Sequence, residues 1–156
     1  KASPAPVREY GGFGSGYGRA DFFVCNKEEA QRILGTKESD IKQLMSLMAD
    51  VGPKIVVITD GQAGAYAREQ AGTMWFMPPY PDPKPPYSRT GAGDAFSSTF
   101  VVFLALGMSV EEAISRAPIN SMSVVQYVGA RAGLLTRSQL EEYLTKAPAE
   151  YKPKRL

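Results

Sequence analysis

The sequence has no histidine and a single cysteine, Cys25, among its 156 residues. One cysteine cannot form a disulfide within the chain, and the usual zinc ligand sets cannot be assembled without histidine. We expect Cys25 to be a core residue rather than a nucleophile, because no histidine is present to activate its thiol. These absences exclude a disulfide-stapled scaffold and fit a protein of the reducing cytoplasm.

Long apolar runs and an excess of one charge are also missing. No run reaches the roughly 18 apolar residues that a membrane-spanning helix needs, and no apolar signal core is found near the start of the sequence. The 18 basic and 16 acidic residues nearly cancel, so we expect neither nucleic acid nor membrane as a partner. The 44% hydrophobic content is enough for one packed domain.

The chain divides into three parts by composition. Residues 1–20 are rich in glycine, proline and serine and are predicted to be a linker or irregular segment. Residues 147–156 are predicted to be a frayed tail. The part between them, residues 21–146, carries the hydrophobic patterns and is predicted to be the functional domain.

Hydrophobic patterns predict the order of elements within this domain. Apolar and β-branched runs predict buried strands at 21–25 and 54–59, and two extended stretches around Gly72 predict an antiparallel pair. Helical periodicity and capping signals predict helices at 27–34, from 41 to about 51, from 92 to about 106, from 110 onward with a kink or restart at Pro118, and at 137–144. This order predicts a layered α/β domain.

The sequence TGAGD runs directly into an apolar helix. The small residues Gly91, Ala92 and Gly93 allow a tight turn with inward N–H groups, and the helix N-terminus adds its dipole at the same point. Such a turn binds an anion. Asp94, in the first helical turn, would accept a proton from a hydroxyl that attacks a bound phosphate. The alternative is structural: a glycine turn, with Asp94 complementing the helix dipole.

Two further motifs follow the predicted buried strands. TDGQAG places Thr59, Gly61 and Gly64 at the carboxyl end of a strand, where open α/β sheets bind ligands; a plain β-turn is the alternative. In NKEE, Asn26 and Glu29 have the spacing of a capping box. Glu29 is also suited to hold the waters of a Mg²⁺ ion, and the two interpretations are compatible.

Taken in order, NKEEA, TDGQAGA, RTGAGDAFSSTF and APINSMSVVQYVGA resemble the C-terminal half of the ribokinase-like (PfkB) family of carbohydrate kinases, over roughly residues 21–144. The resemblance implies the C-terminal portion of a ribokinase-like layered α/β/α domain that uses ATP and Mg²⁺ and acts on a small hydroxyl-bearing substrate. The site residues that it implies are the catalytic base Asp94, the anion hole of Gly91, Ala92 and Gly93, the nucleotide-binding Thr59, Gly61, Gly64 and Asn120, and, at the metal, Asn26 and, through water, Glu29.

The sequence also departs from the family pattern D-T-x-G-A-G-D. Ser88-Arg89-Thr90 precedes Gly91, so the aspartate that helps to bind a monovalent cation in the family is missing and potassium dependence is left open. Family members are considerably longer, and their first half supplies the acceptor pocket, most of the central sheet and the lid.

The sequence is compatible with three functions. In the first, the chain is the ATP-binding and catalytic-base half of a sugar kinase, which transfers the ATP γ-phosphate to a hydroxyl. Alternatively, it is a non-catalytic nucleotide-binding or assembly module, because uncovered sheet edges favour association with another copy or with a complementing N-terminal half. A third possibility keeps the kinase fold and changes the acceptor to a nucleoside or a hydroxymethylpyrimidine.

Overall fold

The computed structural model describes residues 19–129 and 131–156, so the predicted linker lies outside the described residues except for its last two positions. The described elements follow the chain in the order β1 (Phe22–Asn26), α1 (Lys27–Leu34), α2 (Ile41–Asp50), β2 (Ile55–Thr59), β3 (Ala65–Arg68), β4 (Met74–Met77), α3 (Ala92–Ala105), α4 (Val110–Val124), α5 (Arg137–Thr145) and β5 (Lys154–Arg155). A short 3-10 turn, Gly61–Ala63, separates β2 from β3. Among these described helices, none has the length and apolar character needed to cross a bilayer.

The five strands form one mixed sheet in the order β1-β2-β3-β4-β5. β1 and β2 run parallel, with Phe22 opposite Ile55 and Asn26 opposite Thr59. The remaining neighbours are antiparallel. The α1 and α2 helices form the crossover that a parallel strand pair requires. The predicted buried strands and the predicted antiparallel pair are therefore confirmed.

Helices cover both faces of the sheet. Val56 and Ile58 of β2 pack in a cluster with α1 and α2, whereas Val57 packs in a second cluster with α3 and α4. All three side chains are fully buried. Because successive side chains of a strand point to opposite faces, these burials confirm the layered α/β/α arrangement.

Cys25 belongs to the cluster beneath α1 and α2, as expected for a core residue. Burial, with a smaller contribution from the negative charge of Glu29, raises the pKa of its thiol to about 12. The side chain therefore stays a neutral thiol near neutral pH, and the prediction that Cys25 is a packing residue is confirmed.

Local capping sets the helix boundaries. Gly35 ends α1 with a φ of 61°, a left-handed conformation that glycine adopts without strain. In a complete capping box, the N-cap and N3 side chains each bond the backbone of the other residue. Such boxes begin α1, α4 and α5, with the pairs Asn26 and Glu29, Ser109 and Glu112, and Thr136 and Gln139. These boundaries agree with the sequence pattern.

A kink or a restart was predicted at Pro118; the α4 helix continues through this residue, so the restart does not occur. A proline inside a helix lacks an N–H donor and costs about 3 kcal/mol. Its neighbours Ala117 and Ile119 are fully buried in the cluster that α4 shares with α3. The burial of these apolar side chains offsets the lost hydrogen bond and keeps the helix continuous.

The C-terminal segment is not frayed, contrary to the sequence-based expectation. Lys154 and Arg155 form β5 against β4. Tyr151 is only 5% exposed, and its hydroxyl donates to the carbonyl oxygen of Ser115 at 2.7 Å. Its ring also meets the ring of Tyr80 edge-on, with 4.8 Å between the centroids. The packed structure therefore continues past residue 146.

Candidate functional site

A cavity of about 320 Å³ opens where β1 and β2 end and α3 begins. The parallel strands β1 and β2 end at Asn26 and Thr59, and this is the edge at which open α/β sheets bind ligands. The cavity is lined by members of all three motifs, namely Asn26, Thr59, Gly61, Gly64, Ala92 and Gly93. The structure therefore brings the three separate motifs to one place.

The walls of this cavity have two chemical characters. The apolar lining comes from Pro79, Tyr80, Phe96, Pro118, Met122 and Val125. The polar side chains are those of Asn26, Thr59, Gln62, Asp82, Arg89 and Ser121. Apolar walls with a few polar groups are typical of small-molecule sites. The lining suits a ligand that combines an apolar ring with a charged group.

Free backbone amides begin the α3 helix at the cavity. Gly91 is the N-cap, with a φ of 85° and no side-chain cap. The amide of Ala92 donates to the carbonyl oxygen of Arg89 at 3.3 Å, but within the described part of the chain the amides of Gly93 and Asp94 have no acceptor. Unpaired amides at a helix N-terminus carry the positive end of the helix dipole. This turn is therefore suited to bind an anion such as a phosphate.

Gly93 has no conformational or steric reason to be glycine in the described structure. It lies within α3, it is absent from the positive-φ glycines, and a Cβ there would meet no atom within 4 Å. Glycine inside a helix costs about 1 kcal/mol relative to alanine. A ligand that approaches the backbone closely would account for a glycine at this position.

The two glycines of TDGQAG differ in the space that surrounds their Cα atoms. Gly61 and Gly64 both have positive φ angles, 52° and 105°. A Cβ at Gly64 would lie 2.6 Å from the carbonyl oxygen of Met77 and 2.7 Å from the ring of Phe76, whereas one at Gly61 would meet nothing within 4 Å. The fold alone therefore requires Gly64, whether or not a ligand binds.

We expect Gly64→Ala to lower the free energy of unfolding by about 2–3 kcal/mol, because strain at positive φ adds to a collision with β4. Gly72→Ala is the matched control, since Gly72 has a φ of 94° and open space around it. That control measures the backbone strain alone, about 1–2 kcal/mol. Urea unfolding of both variants compares the two costs. Equal losses would show that the collision with β4 contributes nothing.

Asp94 is exposed, next to the anion-suited turn. Its carbonyl oxygen accepts from the hydroxyl of Ser98 at 2.7 Å. Its carboxylate has no hydrogen bond or ion pair with any described residue. Asp94 does not itself line the cavity, but it directly follows Gly93, which does. The carboxylate is thus free to accept a proton from a group bound beside the turn.

Asn26 and Glu29 form the predicted capping box. Asn26 Oδ1 accepts from the amide of Glu29, and Glu29 Oε2 accepts from the amide of Asn26, both at 2.8 Å. Asn26 also lines the cavity, and Glu29 does not. Over residues 19–129 and 131–156, no group of three or more histidine, cysteine, aspartate or glutamate side chains is placed to share a metal ion. The chemistry of these two donors fits an ion such as Mg²⁺, which keeps most of its water.

The side chain of Asn120 is not brought to the cavity. It is 6% exposed; its Nδ2 donates to Thr99 Oγ1 at 2.8 Å, and its Oδ1 accepts from the amide of Leu135 at 3.0 Å. The neighbouring Ser121 lines the cavity instead, and its hydroxyl donates to the carbonyl oxygen of Ala92 at 2.8 Å. A role of Asn120 in nucleotide binding therefore stays a prediction.

The cavity is also lined by Tyr80, Arg89 and Gln62, none of which was predicted from the sequence. Tyr80 lies in the proline-rich connector after β4, and its hydroxyl donates to the carbonyl oxygen of Tyr143 at 3.1 Å. Gln62 Oε1, in the amide orientation that satisfies both side chains, accepts from Arg89 at 2.9 and 3.1 Å. The one available signal was an aromatic and a basic side chain within a connector that leads to the TGAGD turn.

A layered α/β fold with an anion-suited helix N-terminus at the strand ends defines a class of phosphate-binding proteins. A family model described as pfkB family carbohydrate kinase matches residues 14–137. The chain belongs to this family, as its motifs predicted.

Curated relatives and solved structures agree with this assignment. The chain is 34% identical over 127 residues to ribokinase from Bacillus subtilis (strain 168). This alignment covers 81% of this chain and 40% of that protein. It is 31% identical over 97 residues to cytidine kinase from Thermococcus kodakarensis. That alignment covers 62% of this chain and 34% of the kinase. The structure of Arabidopsis thaliana ribokinase complexed with ribose and ATP matches with a TM-score of 0.72 and 27% identity, over 80% of this chain and 40% of that chain.

These comparisons confirm the ribokinase-like fold and its partial extent. The chain spans about 40% of the length of the ribokinases that it matches.

Proposed function

We propose that this chain supplies the ATP site and the catalytic base of a cytoplasmic kinase that transfers the γ-phosphate of ATP to a hydroxyl of a sugar or sugar-like acceptor. The observation that carries the proposal is the pair of free amides at Gly93 and Asp94 beside a cavity shared with the TDGQAG loop. The relatives support it, since ribokinase and cytidine kinase are both kinases.

The cavity suits a nucleotide in one orientation. The apolar wall formed by Tyr80, Phe96 and Met122 would contact the base. The phosphates would then extend toward the free amides of Gly93 and Asp94. The solved structure of the ribokinase from Arabidopsis thaliana with ribose and ATP supports ATP as the phosphate donor.

The proposed transfer uses the chain's own groups in two roles. The acceptor oxygen attacks the γ-phosphorus while the bond to the leaving ADP oxygen breaks, and Asp94 takes the proton of the acceptor hydroxyl. The amides and the helix dipole at the start of α3 stabilise the charge on the transferring phosphoryl group. Asn26 and, through water, Glu29 would hold Mg²⁺ here, and the ion would neutralise phosphate charge when bound with ATP.

A second candidate function is a nucleotide-binding module that works only with a partner chain. β1 forms one end of the described sheet, and the Phe22 side chain at its start is 39% exposed. An open strand edge can pair with another copy or with a complementing N-terminal half. Within the kinase proposal, a nucleoside or a hydroxymethylpyrimidine is the alternative acceptor, and the similarity to cytidine kinase favours the nucleoside.

We expect Gly93→Ala to separate stability from phosphate binding. The free energy of unfolding should rise by up to about 1 kcal/mol, because alanine is the better helix former and its Cβ meets nothing. The affinity for ATP should fall at least about tenfold, because the methyl group stands where a phosphate approaches the amides. Isothermal titration calorimetry with ATP, adenosine and candidate sugars, together with urea unfolding, measures both effects.

Adenosine is the control ligand for this substitution, since its binding should not change. An unchanged ATP affinity in Gly93→Ala would show that the α3 amides do not bind phosphate. In the unsubstituted chain, heat from ATP supports the nucleotide site that both candidate functions share. The absence of heat from both ATP and adenosine would refute the nucleotide site.

A further inference from the structure

Arg89 is the one positively charged side chain among the described residues that line the cavity. Its guanidinium forms no ion pair with a described carboxylate. The lining also includes the carboxylate of Asp82, but that group is not within ion-pair distance of Arg89. The cavity therefore contains a cation whose charge the described protein does not neutralise.

Gln62 holds this guanidinium in place without neutralising it. The amide oxygen of Gln62 accepts from both terminal nitrogens of Arg89, at 2.9 and 3.1 Å. An arginine side chain has five N–H donors, so donors remain for a ligand. A neutral amide partner fixes the side chain and leaves its full charge available, which a carboxylate partner would not do.

The Arg89–Gln62 pair also joins the two loops that the phosphates would meet. Gln62 lies in the 3-10 turn after β2. The carbonyl oxygen of Arg89 accepts from Ala92, so Arg89 begins the turn that leads to the free amides of Gly93 and Asp94. A phosphate group at those amides would approach from the cavity that the guanidinium also lines.

We propose that Arg89 binds the terminal phosphates of a nucleoside polyphosphate and that Gln62 positions the Arg89 side chain. This inference rests on the proposed function. A guanidinium binds phosphate oxygens through two parallel hydrogen bonds, with a geometry that the ammonium group of lysine cannot reproduce. Affinity should therefore depend on the phosphate chain and on Arg89, whereas contacts to the base and ribose should not involve this residue.

Calorimetry on the 156-residue chain tests the proposal with ATP, adenosine and inorganic tripolyphosphate as ligands. Arg89→Gln should weaken ATP and tripolyphosphate binding roughly tenfold to hundredfold and leave adenosine binding unchanged. Arg89→Lys should recover only part of that loss. Arg137→Gln is the matched control, because Arg137 is exposed at the start of α5 and does not line the cavity.

Gln62→Glu tests whether a neutral partner must hold Arg89 for its charge to be available, by a readout that a structural defect would not give. A carboxylate at this position would neutralise Arg89, so ATP and tripolyphosphate binding should fall about as far as in Arg89→Gln while adenosine binding and the melting temperature stay unchanged. Unchanged ATP and tripolyphosphate binding in Gln62→Glu would overturn the positioning role.

The failures of the two proposals can be told apart. If Arg89→Gln behaves like Arg137→Gln, Arg89 is not a phosphate-binding residue and the proposed function stands. If the unsubstituted chain binds ATP no more tightly than adenosine, both the Arg89 assignment and the proposed phosphate site at the α3 amides are wrong. If the unsubstituted chain binds neither ATP nor adenosine, both the Arg89 assignment and the proposed function are wrong.

Discussion

Asp94→Asn is expected to reduce phosphoryl transfer by about 10²–10⁴-fold while ATP binding stays nearly unchanged. Asparagine keeps the shape of the side chain but cannot accept the proton of the attacking hydroxyl. Because the carboxylate of Asp94 has no partner among the described residues, its replacement leaves no unpaired group in the protein. The change therefore tests the base without disturbing its surroundings.

The measurement requires an acceptor pocket as well as the ATP site. Since the chain spans about 40% of its ribokinase relatives, turnover is measured both in this chain and in a chimera with the remaining portion of the Bacillus subtilis ribokinase. ADP release with ribose and with cytidine as acceptors gives the rate. Calorimetry gives the ATP affinity of the same variant.

Glu111→Gln is the matched control for Asp94→Asn. Glu111 is also an exposed acid in the first turn of a helix, α4. Both substitutions remove a favourable interaction with a helix dipole, worth about 0.3–1 kcal/mol of stability. The control variant should retain full turnover. Full turnover in Asp94→Asn would show that Asp94 is not the catalytic base and interacts only with the helix dipole.

Tyr151→Ala is expected to lower the free energy of unfolding by about 3–5 kcal/mol. The substitution empties a buried site, since Tyr151 is only 5% exposed, and it removes the hydrogen bond from the Tyr151 hydroxyl to the carbonyl oxygen of Ser115. Burial raises the pKa of this phenol, so the hydroxyl stays protonated and continues to donate. Tyr151→Phe should cost only about 1 kcal/mol, the value of the hydrogen bond.

Urea unfolding with Tyr87→Ala as the control measures this loss. Tyr87 is 71% exposed, and its truncation should change the stability by less than about 0.5 kcal/mol. If Tyr151→Ala costs no more than Tyr87→Ala, the C-terminal segment does not contribute to the folded core.

Local features of the fold could be predicted from the sequence because their partners lie a few residues apart. The amide and side-chain bonds between Asn26 and Glu29 span three positions, and the left-handed Gly35 ends α1 from within its own turn. The uniformly apolar β2 required cover on both faces, which the two clusters provide. The TGAGD turn and its free amides follow from small residues next to a helix.

Features that depend on distant partners could not be predicted in this way. Tyr151 bonds Ser115, a residue 36 positions away, within a tail whose composition indicated fraying. Nothing local to Gln62 identifies Arg89 as its partner. At Pro118, the burial that α4 gains against α3 outweighs a local preference against a continuous helix.

The spatial order of the strands equals their order of synthesis. During translation, each of these strands therefore emerges after the strand that it pairs with, and β1 to β4 can pair as they emerge. The free edge of β4 then stays unpaired until α3, α4 and α5 have been translated, because β5 follows these helices in the chain. In the nascent chain this edge is open to chaperones and to aggregation until β5 pairs with it.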